Sequence, residues 1–365
     1  MNRDKLDIKD PELNILVTGG AGFIGSNFIH FLFKLNDFKG KIINIDKLTY
    51  SGNLENLIEI DKKYGQTRYF LEKVDICNYG ALRSVFNKYS PNLIVHFAAE
   101  SHVDRSIFGP SEFIQTNIIG TFNLLDLARN YWSKSKKDVL FHHVSTDEVY
   151  GQLGASGQFY ETTPYNPRSP YSASKASSDH LVKAYYHTYN IPITISNCSN
   201  NYGPYQFPEK LIPLMINNIL EEKELPVYGD GQNIRDWLYV EDHCKGIWEI
   251  IKCGTRGETY NIGGENECKN IDLVNLLCEK IARNMNKPKD HYKKLITFVK
   301  DRPGHDKRYA LNCDKIKNEL DWEKTVDFDK GLEKTIQWYL DNKDWLQSIV
   351  SGDYRDYYNK MYKNR

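Results

Sequence analysis

The chain has 365 residues, enough for one large domain or two of medium size with a substantial core. Lys plus Arg equals Asp plus Glu, 48 against 48, so the net basic charge expected of a nucleic-acid or anionic-membrane binder is excluded. No apolar stretch approaches the ~18 residues that cross a bilayer, and the charged start, Met1 to Pro11, lacks the apolar centre of a signal peptide.

In chain order, strand and helix signals alternate from residue 14. Asn14 to Thr18 is a short apolar run, followed by glycines and a helical pattern over Phe23 to Leu35. Lys41 to Asp46 and Arg68 to Ile76 read as strands, with a helix around Ala81 to Tyr89. Leu93 to Ala99 and Val139 to Ser145 are further strands, separated by a helical segment from Ser111 to Tyr131. Tyr171 to Tyr189 reads as a helix and Ile193 to Asn197 as a strand. Short apolar strands alternating with helices predict an α/β fold, a Rossmann-like doubly wound parallel sheet.

After residue 197 the rhythm loosens, with Gly, Pro, Asn and Tyr frequent in Asn200 to Pro208 and Pro226 to Gly231. The expected organisation is therefore a dinucleotide-binding domain over 13–197, with a return near 234–262. A smaller substrate domain interleaves over 198–340, and a polar tail runs over 341–365. The seven cysteines (77, 198, 244, 253, 268, 278 and 313) are scattered and form no C-x-x-C pair. They predict reduced thiols in a cytoplasmic protein and no zinc site. The histidines show no ligand spacing, and His142-His143 sits in an apolar strand as core, so no metal is expected.

The first chemistry-bearing motif is Thr18-Gly19-Gly20-Ala21-Gly22-Phe23-Ile24-Gly25. Glycines allow a tight strand-to-helix turn and close approach of backbone to a pyrophosphate, which the helix N-terminus attracts. Asp46 ends the next strand, 21 residues beyond Gly25, where an acid grips ribose hydroxyls. A carboxylate there repels a 2′-phosphate and so favours NAD over NADP, although Lys47 stands beside it. Asp75-Ile76 and Ala98-Ala99, at later strand ends, suit an adenine pocket and a nicotinamide-side wall. Tyr171 and Lys175 stand four apart on one helix face. An ammonium beside a phenol is expected to lower the phenol pKa, giving a base for a substrate hydroxyl.

Several longer motifs carry a family resemblance. They are Val144-Ser145-Thr146-Asp147-Glu148-Val149-Tyr150-Gly151, Ala98 through Ser106, Asn200-Asn201-Tyr202-Gly203-Pro204, Gly229-Asp230-Gly231 through Asp242, and Asp301-Arg302-Pro303-Gly304-His305. Over residues 13 to 340 the chain resembles the nucleotide-sugar 4,6-dehydratases of the dTDP-glucose type, which are extended short-chain dehydrogenases/reductases. The resemblance implies a hydro-lyase that makes a 4-keto-6-deoxy sugar for deoxysugar synthesis, rhamnose for example. It implies Thr146 on the C4 oxygen, Tyr171 as its base with Lys175, Glu148 as base at C5 and Asp147 as acid at C6. Hydride then returns to C6. The pair Asp147-Glu148 can also be argued directly, because oxidising C4 acidifies the C5 proton and two carboxyls of different pKa can divide the elimination.

The same resemblance places Gly19, Gly22, Phe23, Ile24, Gly25, Asp46, Lys47, Thr49, Asp75, Ile76, Ala98, Ala99, Ser101, Thr116 and Asn201 at NAD, with Tyr171 and Lys175. It places His102, Asn200, Lys210, Leu211, Pro226, Tyr228, Arg235, Asn270, Arg302 and His305, with Thr146, at a nucleoside diphosphate-sugar. Arg and Lys among these suit the two phosphates, and Tyr228 offers a ring for a base. A homodimer through the helices of 111–131 and 171–189 is implied as well. dTDP-glucose is the favoured substrate, with UDP-glucose as the alternative and a 4-epimerase or decarboxylase on the same scaffold as a more distant one.

Overall fold

The computed structural model describes residues 8–133 and 138–350. Its strands are β1 (Asn14–Thr18), β2 (Lys41–Asp46), β3 (Tyr69–Lys73), β4 (Leu93–His96), β5 (Leu140–Thr146) and β6 (Ile193–Cys198). Then follow β7 (Asn200–Tyr202), β8 (Leu225–Tyr228), β9 (Ile234–Tyr239), β10 (Thr259–Ile262), β11 (Glu267–Lys269) and β12 (Ile296–Val299).

Seven of these form one parallel sheet in the order β10-β6-β5-β4-β1-β2-β3. Alternation along each strand loads both faces. Ile15 and Val17 join one apolar cluster with Phe28, Leu32 and Trp248, whereas Leu16, Ile43 and Ile94 join another with Phe86, Leu124 and Val182. Strands with helices over both faces show no polar side, which explains their continuous apolar runs. The order of strands reverses between β1 and β4, and such a switch point opens a crevice beyond the C-terminal strand ends.

The second half has its own core, built around Ile212, Met215, Leu277, Ile281, Leu332, Ile336 and Trp345. β9 lies between β7 and β11 in a three-stranded sheet, and β8 pairs with β12. The helix Val240–Cys253 packs its Cys244, Ile247 and Trp248 into the cluster containing Phe28, and β10 then extends the large sheet beside β6.

Two expectations need correction. The segment 111–131 is not one regular helix. A short helix Pro110–Phe113 opens into a wide π-helical stretch, Ile114–Gly120, before a regular helix Thr121–Trp132. The widening lets the Asn117 side chain reach inward, where Nδ2 donates to Glu100 O at 3.0 Å and to Ser174 Oγ at 2.8 Å. The polar tail also begins later than expected. Residues Lys343–Ile349 form a helix that buries Trp345 and Leu346 in the second core, because these two apolar side chains outweigh their polar neighbours. Residues 351–365 lie outside the described residues. No helix of the described residues is long and apolar enough to cross a membrane.

Candidate active site

The glycine turn is built as backbone geometry demands. Gly19 has φ +71°, and a Cβ there would meet Ala98 Cα at 2.8 Å. A Cβ on Gly25 would stand 2.3 Å from Gly19 O, so helix and strand approach too closely for any side chain. Gly22 caps the helix Phe23–Lys34 with no side chain in the way, and the first-turn N–H groups point out of the helix end. Asp46 stands beside this turn, where Oδ2 accepts the Ala21 N–H at 2.9 Å and Oδ1 accepts the Leu48 N–H at 2.8 Å. Burial raises its pKa against those two hydrogen bonds. Lys47 is turned to Asp75, Nζ to Oδ2 at 2.8 Å, so its charge is matched within the cavity wall.

This donor set fits a dinucleotide: a side-chain-free helix end for two phosphates, and a fixed carboxylate for ribose hydroxyls. Every residue expected at NAD lines a single cavity, together with all five expected at the chemistry and with Asn200 and Lys210.

β5 delivers the chemical groups. Its last residue, Thr146, caps the short 3₁₀ helix Asp147–Tyr150 by accepting the Glu148 N–H at 3.3 Å. That turn presents two consecutive carboxyls in opposite surroundings. Asp147 is buried, and its pKa is raised well above the usual range by burial, then by the charges of Glu148 and Asp236. Its Oδ2 has no partner among the described side chains and backbone. Glu148 is also raised by burial, but its next three influences are the cations Arg302, Lys210 and Arg235, which pull it down. One carboxyl is thus pushed to stay protonated while the other is held closer to ionisation.

Tyr171 and Lys175 come from the helix Pro170–Tyr189. Ser169 caps it by accepting the Ser172 N–H, and Pro170 starts it with a preset φ. Lys175 Nζ donates to Val144 O at 2.9 Å and lies 3.4 Å from His143 Nε2. The expected lowering of the Tyr171 phenol is not found. Burial, then the negative charge of Glu148, pushes it well above its ordinary value. The physical reason is that the Lys175 ammonium is directed at the Val144 carbonyl, and burial lowers its own pKa while Asp179 opposes that shift.

The remaining residues expected at the substrate do not line this cavity, but several act on it. The guanidinium of Arg235 lies 4.5 Å over the Tyr309 ring and donates to Asp306 O at 2.9 Å. Arg302 Nη1 lies 3.9 Å from Asp104 Oδ1, and the buried Arg302 Nε has no hydrogen-bond partner among the described residues. Tyr228 donates to Asp104 Oδ2 at 2.9 Å, and His305 Nδ1 meets Asp301 Oδ1 at 2.6 Å. His102 contacts Glu209 O through Nε2 at 3.3 Å, and burial holds its pKa well below the usual value. Asn270 starts the helix Asn270–Asn284 with a buried Oδ1 that has no partner among the described residues; Leu211 starts the helix Leu211–Leu220, and Pro226 lies in β8.

Sequence reading missed several members of the site. Glu209 lines the cavity and pairs with Arg105 at 3.2 Å and with the Tyr50 hydroxyl at 3.1 Å. Glu100, Asp104, Asp306 and Tyr309 were also missed, although the first three lie within or next to a motif already singled out. Among the described residues no group of three or more side chains could hold a metal.

A family model described as GDP-mannose 4,6 dehydratase matches residues 16–335. The chain is 55% identical over 349 residues to a dTDP-glucose 4,6-dehydratase of Neisseria meningitidis serogroup B, covering 93% of this chain and 97% of that one. A dTDP-glucose 4,6-dehydratase of Bacillus anthracis, solved in complex with NAD, is 48% identical with a TM-score of 0.81, over 92% of this chain and 99% of that one. The dTDP-glucose 4,6-dehydratase of Streptomyces venezuelae, solved with NAD and a second ligand, gives 42% and 0.84, over 92% and 100%. Sequence, fold and the buried Thr146-Asp147-Glu148 turn agree: the chain belongs to the dTDP-glucose 4,6-dehydratase family.

Proposed function

We propose that the chain converts dTDP-glucose to its 4-keto-6-deoxy derivative, with NAD held at the glycine turn. The observation that carries this reading is the unequal setting of two adjacent carboxyls: next to burial, the largest influences on Asp147 are the anions Glu148 and Asp236, and on Glu148 the cations Arg302 and Lys210. A simple alcohol dehydrogenase or 4-epimerase has no use for a buried acid and base next to its tyrosine. An elimination across C5 and C6 needs both.

Bound in this cavity, oxidised NAD would supply a carbon that takes a hydride and gives it back, and a positive charge that would favour the Tyr171 phenolate against the upward push of burial. Tyr171 accepts the proton of the C4 hydroxyl, while the Thr146 hydroxyl donates to the C4 oxygen. Glu148 removes the C5 proton, now acidic beside the C4 carbonyl. Asp147, held protonated by its neighbours, donates to the C6 oxygen, which leaves as water. Lys210, Arg235 and Arg302 bring positive charge toward Glu148 and suit the two phosphates. Asp46, with Lys47 committed to Asp75, supports NAD over its 2′-phosphorylated form.

Preference for dTDP-glucose over UDP-glucose is supported by the names of relatives at 50–55% identity. The test is formation of 4-keto-6-deoxy sugar from each, compared as kcat/KM. No such product from either sinks the reading, and faster turnover of UDP-glucose reassigns the substrate. The product class belongs to deoxysugar synthesis, which rhamnose exemplifies. A homodimer is supported by Ile114, Ile119 and Phe122, which are 50%, 39% and 41% exposed on the 111–131 segment. A cytoplasmic setting is supported by seven free cysteines. Two interleaved units, 13–197 with 234–262 and 198–340, are supported in outline by the separate apolar clusters, with Tyr309 to Trp322 joining the first core and Trp237, Tyr239 and Trp345 the second.

A further inference from the structure

The helix Lys343–Ile349 belongs to the core of the second half, yet one of its side chains is linked to the glycine turn through Asn56. Trp345 packs edge-on against Trp338 and Tyr205, with ring centroids 4.9 and 6.0 Å apart. Its indole N–H donates to Asn56 Oδ1 at 2.8 Å. Asn56 is 2% exposed, and its Nδ2 donates in turn to Ala21 O at 2.9 Å. Ala21 O also accepts the Asn53 N–H at 3.0 Å, while the Ala21 N–H donates to Asp46 Oδ2. The backbone on both sides of Ala21 is thereby held, one residue before the helix end that faces the cavity.

The chain of contacts has a direction. An indole N–H can only donate, so it fixes the Asn56 amide with its oxygen toward Trp345 and its nitrogen toward Ala21. The same residue ties down the loop that follows Asp46. His30 Nε2 meets Asn56 O at 2.7 Å, and Ser348 Oγ donates to Glu55 Oε2 at 3.0 Å. Thr49, Ser51 and Gly52, a few residues earlier in that loop, line the cavity.

We propose that Trp345 and Asn56 are positioning residues for the dinucleotide: they hold the glycine turn and the 47–57 loop in binding geometry and slow cofactor release. This rests on reading that half of the cavity as an NAD site. It also fits the chemistry, because a cofactor that ends each turnover as it began has no reason to leave. A turn already fixed before binding loses less freedom on binding and opens less often afterwards.

The test uses the full chain, freed of nucleotide, with NAD Kd and dissociation rate measured alongside the Kd for dTDP. Trp345→Phe keeps the ring and loses the donor. It is expected to weaken NAD on the order of fivefold, chiefly through faster release, and to leave dTDP within about twofold. Asn56→Ala is expected to weaken NAD at least as much, and the double variant no more than Asn56→Ala alone, because Trp345 acts through Asn56. Unchanged NAD binding in Trp345→Phe, or simple additivity in the double variant, overturns the proposal. If Trp345→Phe does not fold, Asn56→Ala decides, and an NAD Kd within about twofold of the parent overturns it. A parent that binds no NAD overturns the cofactor reading and this proposal together.

Discussion

Asp147→Asn separates the acid from the base of the elimination. The exchange is nearly isosteric: it keeps an oxygen for the Thr146 hydroxyl, 3.4 Å from Oδ1, and removes only the transferable proton. Asp147 is fully enclosed, and burial with Glu148 and Asp236 nearby keeps its carboxyl protonated, so the amide replaces a neutral group by a neutral group. Little change in folding stability is therefore expected. The rate loss should be that of one missing general acid, about 10²–10⁴-fold, or roughly 3–5 kcal/mol on the barrier. The assay follows 4-keto-6-deoxy product from dTDP-glucose and, in heavy water, deuterium entering C5 of recovered substrate. With Glu148 intact, C5 exchange should continue while product formation falls, because the proton is still removed but the C6 hydroxyl departs poorly. Glu148→Gln should abolish both. Product formation within tenfold of the parent in Asp147→Asn, or loss of C5 exchange in that variant alone, would refute the division of roles.

Acid should begin to destabilise the fold through its buried histidines. His143 and His243 are buried with pKa values lowered to about 4 and about 3 by burial, and His96, His102 and His142 are lowered as well. The unfolded chain binds protons near pH 6.5 and the folded one does not, so stability falls as pH drops from 6.5 toward those folded values. Between pH 6.5 and 5.5 each such histidine costs roughly 1 kcal/mol. Urea midpoints across this range should shift downward accordingly, and a flat profile would contradict neutral burial. Phe122→Asp should shift the protein to monomer in sedimentation, and an unchanged dimer would remove that surface from the interface. Asp46→Ala should weaken NAD and narrow its advantage over NADP, measured by calorimetry, because the carboxylate against the ribose is lost; an unaltered ratio of affinities would count against its role.

Most strands were legible because sheet burial on both faces writes continuous apolar runs: Leu93 to Ala99 appears as β4, which ends three residues earlier at His96, and Val139 to Ser145 as β5, shifted by one. The π-helical stretch at 114–120 was not legible, since the contacts that accompany it, Asn117 to Glu100 and Ser174, join partners distant along the chain. The docked helix at 343–349 was hidden for a similar reason. Two buried apolar side chains among polar ones have no periodic signature, and their partners lie in a core assembled from residues 200 onward.

The sequence by itself determined the glycine turn, the acid that follows it and the chemical groups at 146–148, 171 and 175. Close backbone approach and proton transfer need particular residue types, and those types are visible in a string of letters. Tertiary structure alone decided the protonation logic. Asp236 and Glu148 push Asp147 up against Arg235, while Glu148 is pulled down by Arg302 and Lys210 as well as Arg235. Lys175 donates to a carbonyl, and Trp345 is tied to the distant glycine turn through Asn56. Charge and hydrogen-bond direction depend on distance through space, which the spacing of residues along the chain does not encode.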